Sequence, residues 1–137
     1  MANWNDVRRC ALALPETKEV FMHGSVGWHV KNKGFAWERP LRKQDLAALG
    51  ASAPKGAILG VRTADLAMKE ALLARDPEVY FTTPHFDGYP ALLVRLGRIR
   101  VSELRDLLIE AWLARAPERL ATAFLASRPP KRRRSSR

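Results

Sequence analysis

The chain has 137 residues, 47% of them hydrophobic and 28% charged, with a formal net charge of +10. That is ordinary globular composition, long enough for one domain with a real core and short for two. No charge-free apolar run approaches the roughly 18 residues a membrane-spanning helix needs. Met1 to Asp6 has neither a basic nor an apolar leader region, so the expectation is a cytoplasmic protein with no membrane partner. Cys10 is the single cysteine, which excludes an intrachain disulfide and a multi-thiolate metal site.

Trp4, Val7, Ala11 and Leu14 recur at helical spacing, with Asn3 or Asn5 as N-cap and Pro15 as the stop. Between Thr17 and Pro40 the period becomes two. Val26, Trp28 and Val30 alternate with Gly27, His29 and Lys31, and Phe35 and Trp37 alternate with Ala36 and Glu38. This reads as one hairpin around Lys31-Asn32-Lys33-Gly34. Pairing Val30 with Phe35 sets Trp28 opposite Trp37 on one face, as sheet-face core or as a stacking platform for bases. Arg39 to Gly56 reads as a long connection with a short helical turn at Gln44–Leu49 ended by Gly50.

Ala57–Arg62 reads as a strand, followed by a helix capped by Thr63 and stopped at Asp76-Pro77. Val79-Tyr80-Phe81 opens another strand. Ala91–Leu96 is the next, its Leu92-Leu93-Val94 apolar on both faces as a central strand would be. Ser102 caps a helix with the buried stripe Leu104, Leu107, Leu108, Ala111 and Trp112, and Pro117 suits the first turn of a last helix through Leu125. The order α-β-β-loop-β-α-β-β-α-α predicts an α+β domain over residues 1–127, a mainly antiparallel sheet covered by helices on one face. Residues 128–137 hold six basic groups and no acidic one, and their composition predicts a basic disordered tail.

The charge is localised. Residues 31–62 carry seven basic and two acidic groups, whereas 1–30 and 63–127 are close to balanced. Such clusters are the electrostatic footprint of phosphate-backbone contact, and equally the mark of a soluble basic surface. The candidate nucleic-acid contacts are Lys31, Lys33, Arg39, Arg42 and Lys43, with Lys131, Arg132, Arg133 and Arg134 as a flexible arm. A continuous stripe would favour DNA as partner; scattered charges would favour solubility.

The most site-like stretch is Thr82–Pro90, which gathers Thr82, Thr83, His85, Asp87 and Tyr89 in one turn-rich loop. With an open sheet face it forms a candidate binding site for a small molecule or a protein, while Pro84, Gly88 and Pro90 equally suit a tight connection. His85 and Asp87 are the one candidate acid/base pair. No nucleophile elbow, P-loop, dinucleotide fingerprint or spaced His/carboxylate metal motif is present, so no catalytic residue, metal or cofactor is assigned and a non-enzymatic role is expected. The first expectation is a DNA-binding protein of weak sequence selectivity that contacts the phosphate backbone through the hairpin tip and the following loop. The alternative is a small-ligand or protein-binding module using the Thr82–Tyr89 loop and sheet face.

Three segments resemble the MmcQ/YjbR family: Gly27-Trp28-His29-Val30-Lys31-Asn32-Lys33-Gly34-Phe35-Ala36-Trp37, the run from Tyr80 to Val94, and Glu110-Ala111-Trp112-Leu113-Ala114-Arg115-Ala116-Pro117. The resemblance spans nearly all of residues 4–126. It implies a CyaY-like two-layer α+β fold and, through a double-wing likeness, DNA binding, although a fold alone does not define a site. Arg39–Gly60 is longer than in shorter members. CyaY-like proteins are also associated with iron through an acidic first helix, but here Asp6, Glu16 and Glu19 are matched by Arg8, Arg9 and Lys18, so iron binding is not carried over.

Overall fold

In a computed structural model that describes residues 1–127, six strands form one antiparallel sheet in the order β1-β2-β3-β4-β6-β5. The strands are β1 (Thr17–Met22), β2 (Ser25–Val30), β3 (Lys33–Glu38), β4 (Ile58–Arg62), β5 (Tyr80–Phe81) and β6 (Ala91–Arg95). The helices are α1 (Trp4–Leu12), α2 (Lys43–Leu49), α3 (Leu66–Arg75), α4 (Val101–Arg115) and α5 (Glu118–Ser127). The α+β class and the antiparallel sheet are as expected from the sequence. The tail assigned to 128–137, with Lys131 to Arg134, lies outside the described residues.

Alternation along the central strands builds two cores. Leu59, Val61, Leu92 and Val94 face α1 and α4, where they join Val7, Ala11, Leu104, Leu108 and Trp112. Ile58, Ala91 and Leu93 face the other way and pack with Phe81 and Phe86, backed by Trp37, Leu41 and Leu49. The reading of Leu92-Leu93-Val94 as doubly covered therefore holds, because β6 lies between β4 and β5 and both its faces are buried. On the second face the 39–56 connection and the 82–90 loop cover β4, β6 and β5. They stop short of β1, β2 and the start of β3, and that is where a groove opens.

Four local expectations differ. Thr17–Met22 is a strand of its own, joined to β2 by the two-residue turn His23-Gly24 (φ 53° and 79°). The β2–β3 connection is likewise two residues, Lys31-Asn32 (φ 48° and 69°), the positive pair that a tight type I′ hairpin demands. Val30 therefore pairs with Lys33, and an extra residue, Phe35, is accommodated between the Trp28↔Ala36 and His29↔Gly34 pairs. A bulge reverses the facing of the residues beyond it. Trp28 joins the helix-side core and stacks on Trp4 at 6.4 Å, whereas Trp37 lies on the opposite face, so the two tryptophans do not share one. Finally, α3 is capped by Asp65, whose side chain accepts from the Met68 N–H at 2.8 Å, while Thr63 donates to the Asp65 carbonyl; α4 begins at Val101, placing Ser102 inside its first turn rather than at its cap.

Candidate functional site: a groove on the open sheet face

The groove has a volume of about 810 Å³. Its floor is the uncovered face of β1 to β3, with Val20, Met22, Ser25, Gly27, His29 and Trp37; one wall is the segment His85–Tyr89 and the other the segment Glu38–Arg42. Past Val20 and His29 lies a smaller depression of about 170 Å³ bounded by Glu16, Lys18, Lys31 and Asn32.

Glycines shape the floor. A Cβ at Gly27 would lie 3.4 Å from His29 Nε2, and one at Gly34 would lie 3.5 Å from the same atom. The imidazole thus rests across β2 and β3 between two positions without side chains. At Gly60 of β4, the cross-strand partner of Trp37, a Cβ would come within 2.3 Å of the indole Nε1 and 2.5 Å of Cε2. Only hydrogen fits there, which lets Trp37 lie directly on the sheet.

The walls are held by buried polar contacts. Arg39 donates to Asp45 Oδ2 at 2.9 Å and to the Pro40 carbonyl at 2.7 Å, and its guanidinium sits 5.2 Å from the centre of the Phe86 ring. Asp45 also accepts from the Arg42 N–H at 2.8 Å. Burial pushes the Asp45 carboxyl up, but the Arg42 N–H and the Arg39 charge outweigh it and hold the group below the usual carboxylate range. Lys69 reaches from α3, buried to 5% exposure, to donate to the Phe86 and Tyr89 carbonyls at 2.6 and 2.8 Å. Loss of water around it pulls the Lys69 ammonium below the usual lysine range, against the nearby Asp87 charge. On the rim Arg62 donates to the Tyr89 hydroxyl at 2.9 Å and lies 4.9 Å from its ring centre.

The sequence-derived candidates divide on this geometry. His85, Asp87 and Tyr89 line the groove; Thr82 and Thr83 do not, and Thr83 is buried. The His85 ring packs edge-on against Phe86 at 4.9 Å, and among the described residues no hydrogen bond joins it to Asp87. Among the basic candidates Arg39 is corrected: at 5% exposure, spent on Asp45, Pro40 and Phe86, it is a wall strut rather than a phosphate contact. Lys31, Lys33, Arg42 and Lys43 are exposed, with Lys31 paired to Glu16 at 3.2 Å. Along the chain, β3 spans about 17 Å from Lys33 to Glu38, Arg42 and Lys43 follow beyond it, and the candidate between them, Arg39, is buried.

Sequence reasoning left out Lys69 and Gly60, gave His23 and His29 no role, and weighed Trp37 only with Trp28, as sheet-face core or a platform for bases. Glycines inside strands beside aromatic residues are the signal that would have found the floor. All three histidines of the chain line this one groove. Among the described residues no group of three or more His, Cys, Asp or Glu is placed to hold a metal, and no helix is long and apolar enough to cross a membrane.

Fold and groove together define a two-layer α+β domain with a half-open sheet face. The YjbR family model matches residues 12–114. Uncharacterized proteins of Mycobacterium tuberculosis and Mycobacterium bovis are 54% identical over 130 residues, covering 93% of this chain and 98% of theirs. The crystal structure of Deinococcus radiodurans protein DR2400, which carries a DUF419 domain, superposes with a TM-score of 0.62 at 20% identity, covering 82% of this chain and 78% of that one. The chain belongs to the YjbR family.

Proposed function

We propose that this chain is a non-enzymatic binding protein whose groove takes a small-molecule ligand. The observation that carries the reading is the groove itself. At about 810 Å³ it has the volume of a small-molecule site, with aromatic and aliphatic side chains on the floor and a few polar groups converging from the walls. The walls are braced by contacts with little other purpose, since Lys69 and the Arg39–Asp45 pair fix the backbone that presents His85, Tyr89 and Arg42. Binding rather than catalysis fits the lining, in which no nucleophile is hydrogen-bonded to a base among the described residues.

Duplex DNA is the competing partner, and its support is the exposure of Lys31, Lys33, Arg42 and Lys43. The full chain titrated with indole and 2-naphthalenesulfonamide, followed by amide NMR, separates the two. Saturable shifts at Gly27, Gly34, Gly60 and Tyr89 are expected, and they should vanish in Val20→Trp, which fills the groove, while the Leu108 amide stays in place. No saturable shift with either compound, together with 20-base-pair duplex binding whose log K falls against log salt with a slope of about −4, would overturn the reading in favour of nucleic acid.

A further inference from the structure

The floor and the rim of the groove make different demands on an occupant. Along the floor, the Nε2–Cδ2 edge of His29 lies against Gly27 and Gly34, and the indole of Trp37 lies against Gly60. Both rings line the groove, and the glycines beside them leave space that side chains would otherwise fill. Two flat π-surfaces on neighbouring strands favour a planar aromatic partner, which stacks at little conformational cost.

The rim supplies hydrogen-bond donors in excess of acceptors. The carboxylates that face the groove are Glu38 and Asp87. Glu38 Oε1 already accepts from the Val26 N–H at 2.7 Å, and the Asp87 charge is offset by Lys69 behind the loop. The Arg39 charge is matched by Asp45. Arg42 differs, because its exposed guanidinium has neither an ion pair nor a hydrogen bond among the described residues, although its backbone is fixed by Asp45. The imidazoles of His23, His29 and His85 add N–H donors in either protonation state. A free guanidinium on an anchored backbone, in the same groove as three imidazoles, is suited to receive a negatively charged group with oxygen acceptors.

Resting on the reading of the groove as a ligand site, we infer that its ligand is a planar aromatic molecule bearing an anionic group, the ring stacked on Trp37 and His29 and the anion held by Arg42 and the groove histidines. Isothermal titration calorimetry of the full chain at pH 7 tests this with three matched probes: 2-naphthalenesulfonate, its neutral sulfonamide and methanesulfonate. The sulfonate should bind at least tenfold more tightly than the sulfonamide, and methanesulfonate should give no measurable heat. Arg42→Gln, a change at an exposed side chain, should weaken the sulfonate about tenfold and leave the sulfonamide within twofold; Trp37→Leu should weaken both. If the sulfonamide binds as well as the sulfonate, or if Arg42→Gln moves neither, the anionic assignment is overturned while the groove remains a ligand site. If methanesulfonate matches the sulfonate, the aromatic assignment falls. If neither naphthalene binds, the ligand reading falls and this inference with it.

Discussion

Gly60→Ala is a single-methyl change whose cost comes from one neighbour. Gly60 is buried in β4, and its φ lies outside the left-handed region, so alanine meets no backbone strain there. In unfolded-state terms the substitution should even help, since Gly→Ala at a compatible position stabilises by about 0.4–1 kcal/mol. Against this stands the indole of Trp37, with three of its atoms within 2.9 Å of the new methyl. Carbon contacts settle near 3.5–4.0 Å, so the ring must rise off the sheet by about 1 Å. The indole also packs against the second core, whose side chains resist the movement. Overpacking of this kind costs about 1–3 kcal/mol, and after the unfolded-state gain the net expectation is a loss of about 1–2 kcal/mol.

The assay is urea unfolding of four proteins: the parent chain, Gly60→Ala, Trp37→Leu and the double variant. Trp37→Leu removes the clashing ring at its own cost, so the effect of Gly60→Ala should change sign in that background, from destabilising to stabilising by about 0.5 kcal/mol. Because Trp37 lines the groove, Gly60→Ala should also weaken naphthalene binding in the parent background. Equal costs for Gly60→Ala with and without the tryptophan would refute the claim that this glycine exists to let the indole lie flat.

Asp45→Asn leaves Arg39 buried without its counter-charge and should cost about 3 kcal/mol at pH 7 by thermal or urea unfolding. The Asp45 carboxyl is held below its ordinary range in the folded protein, so the unfolded chain binds that proton more readily. Its contribution is present above about pH 4 and is lost as the pH falls through the folded value, so the acid limb of the stability profile should be flatter in Asp45→Asn than in the parent. Lys69→Met keeps the apolar stem but removes two donors from the 82–90 loop. Each carbonyl keeps another N–H, from Tyr89 on Phe86 and from Ala91 on Tyr89, so the expected loss is about 1 kcal/mol. Faster hydrogen exchange at the Tyr89 amide, with the α4 amides unchanged, is the local readout.

α1 and α4 were legible because each buries one stripe, and in α4 Leu104, Leu107, Leu108, Ala111 and Trp112 sit in the core as their spacing implies. β6 was legible for the opposite reason, being apolar at four successive positions, Ala91 to Val94, of a doubly covered strand. β1 was not, because at the sheet edge Phe21 and Met22 are 72% and 51% exposed and no alternation survives. The hairpin register failed on one residue. Lys31 taking positive φ shortens the turn to two, and Phe35 is then absorbed as a bulge, which period-two reasoning has no means to place. The N-cap of α3 was missed for a smaller reason, since both Thr63 and Asp65 have capping side chains and only the backbone decides which accepts from the helix.

The site shows the same divide between residues that are local in sequence and residues that are not. The 82–90 loop is contiguous, and His85, Asp87 and Tyr89 stood out together for that reason. The floor is assembled across three strands, with Val20 and Met22 from β1, Gly27 and His29 from β2 and Trp37 from β3, and the indole rests against Gly60 of a fourth. Its members become neighbours only once the bulge has turned Trp37 away from Trp28. The charge map misled in a related way, because counting cations assigns Arg39 and Arg42 one role, whereas Asp45 consumes the first and fixes only the backbone of the second. Three residues apart in the chain, one arginine builds the wall and the other keeps an exposed guanidinium without an ion pair among the described residues, and the difference between them is a single buried carboxylate.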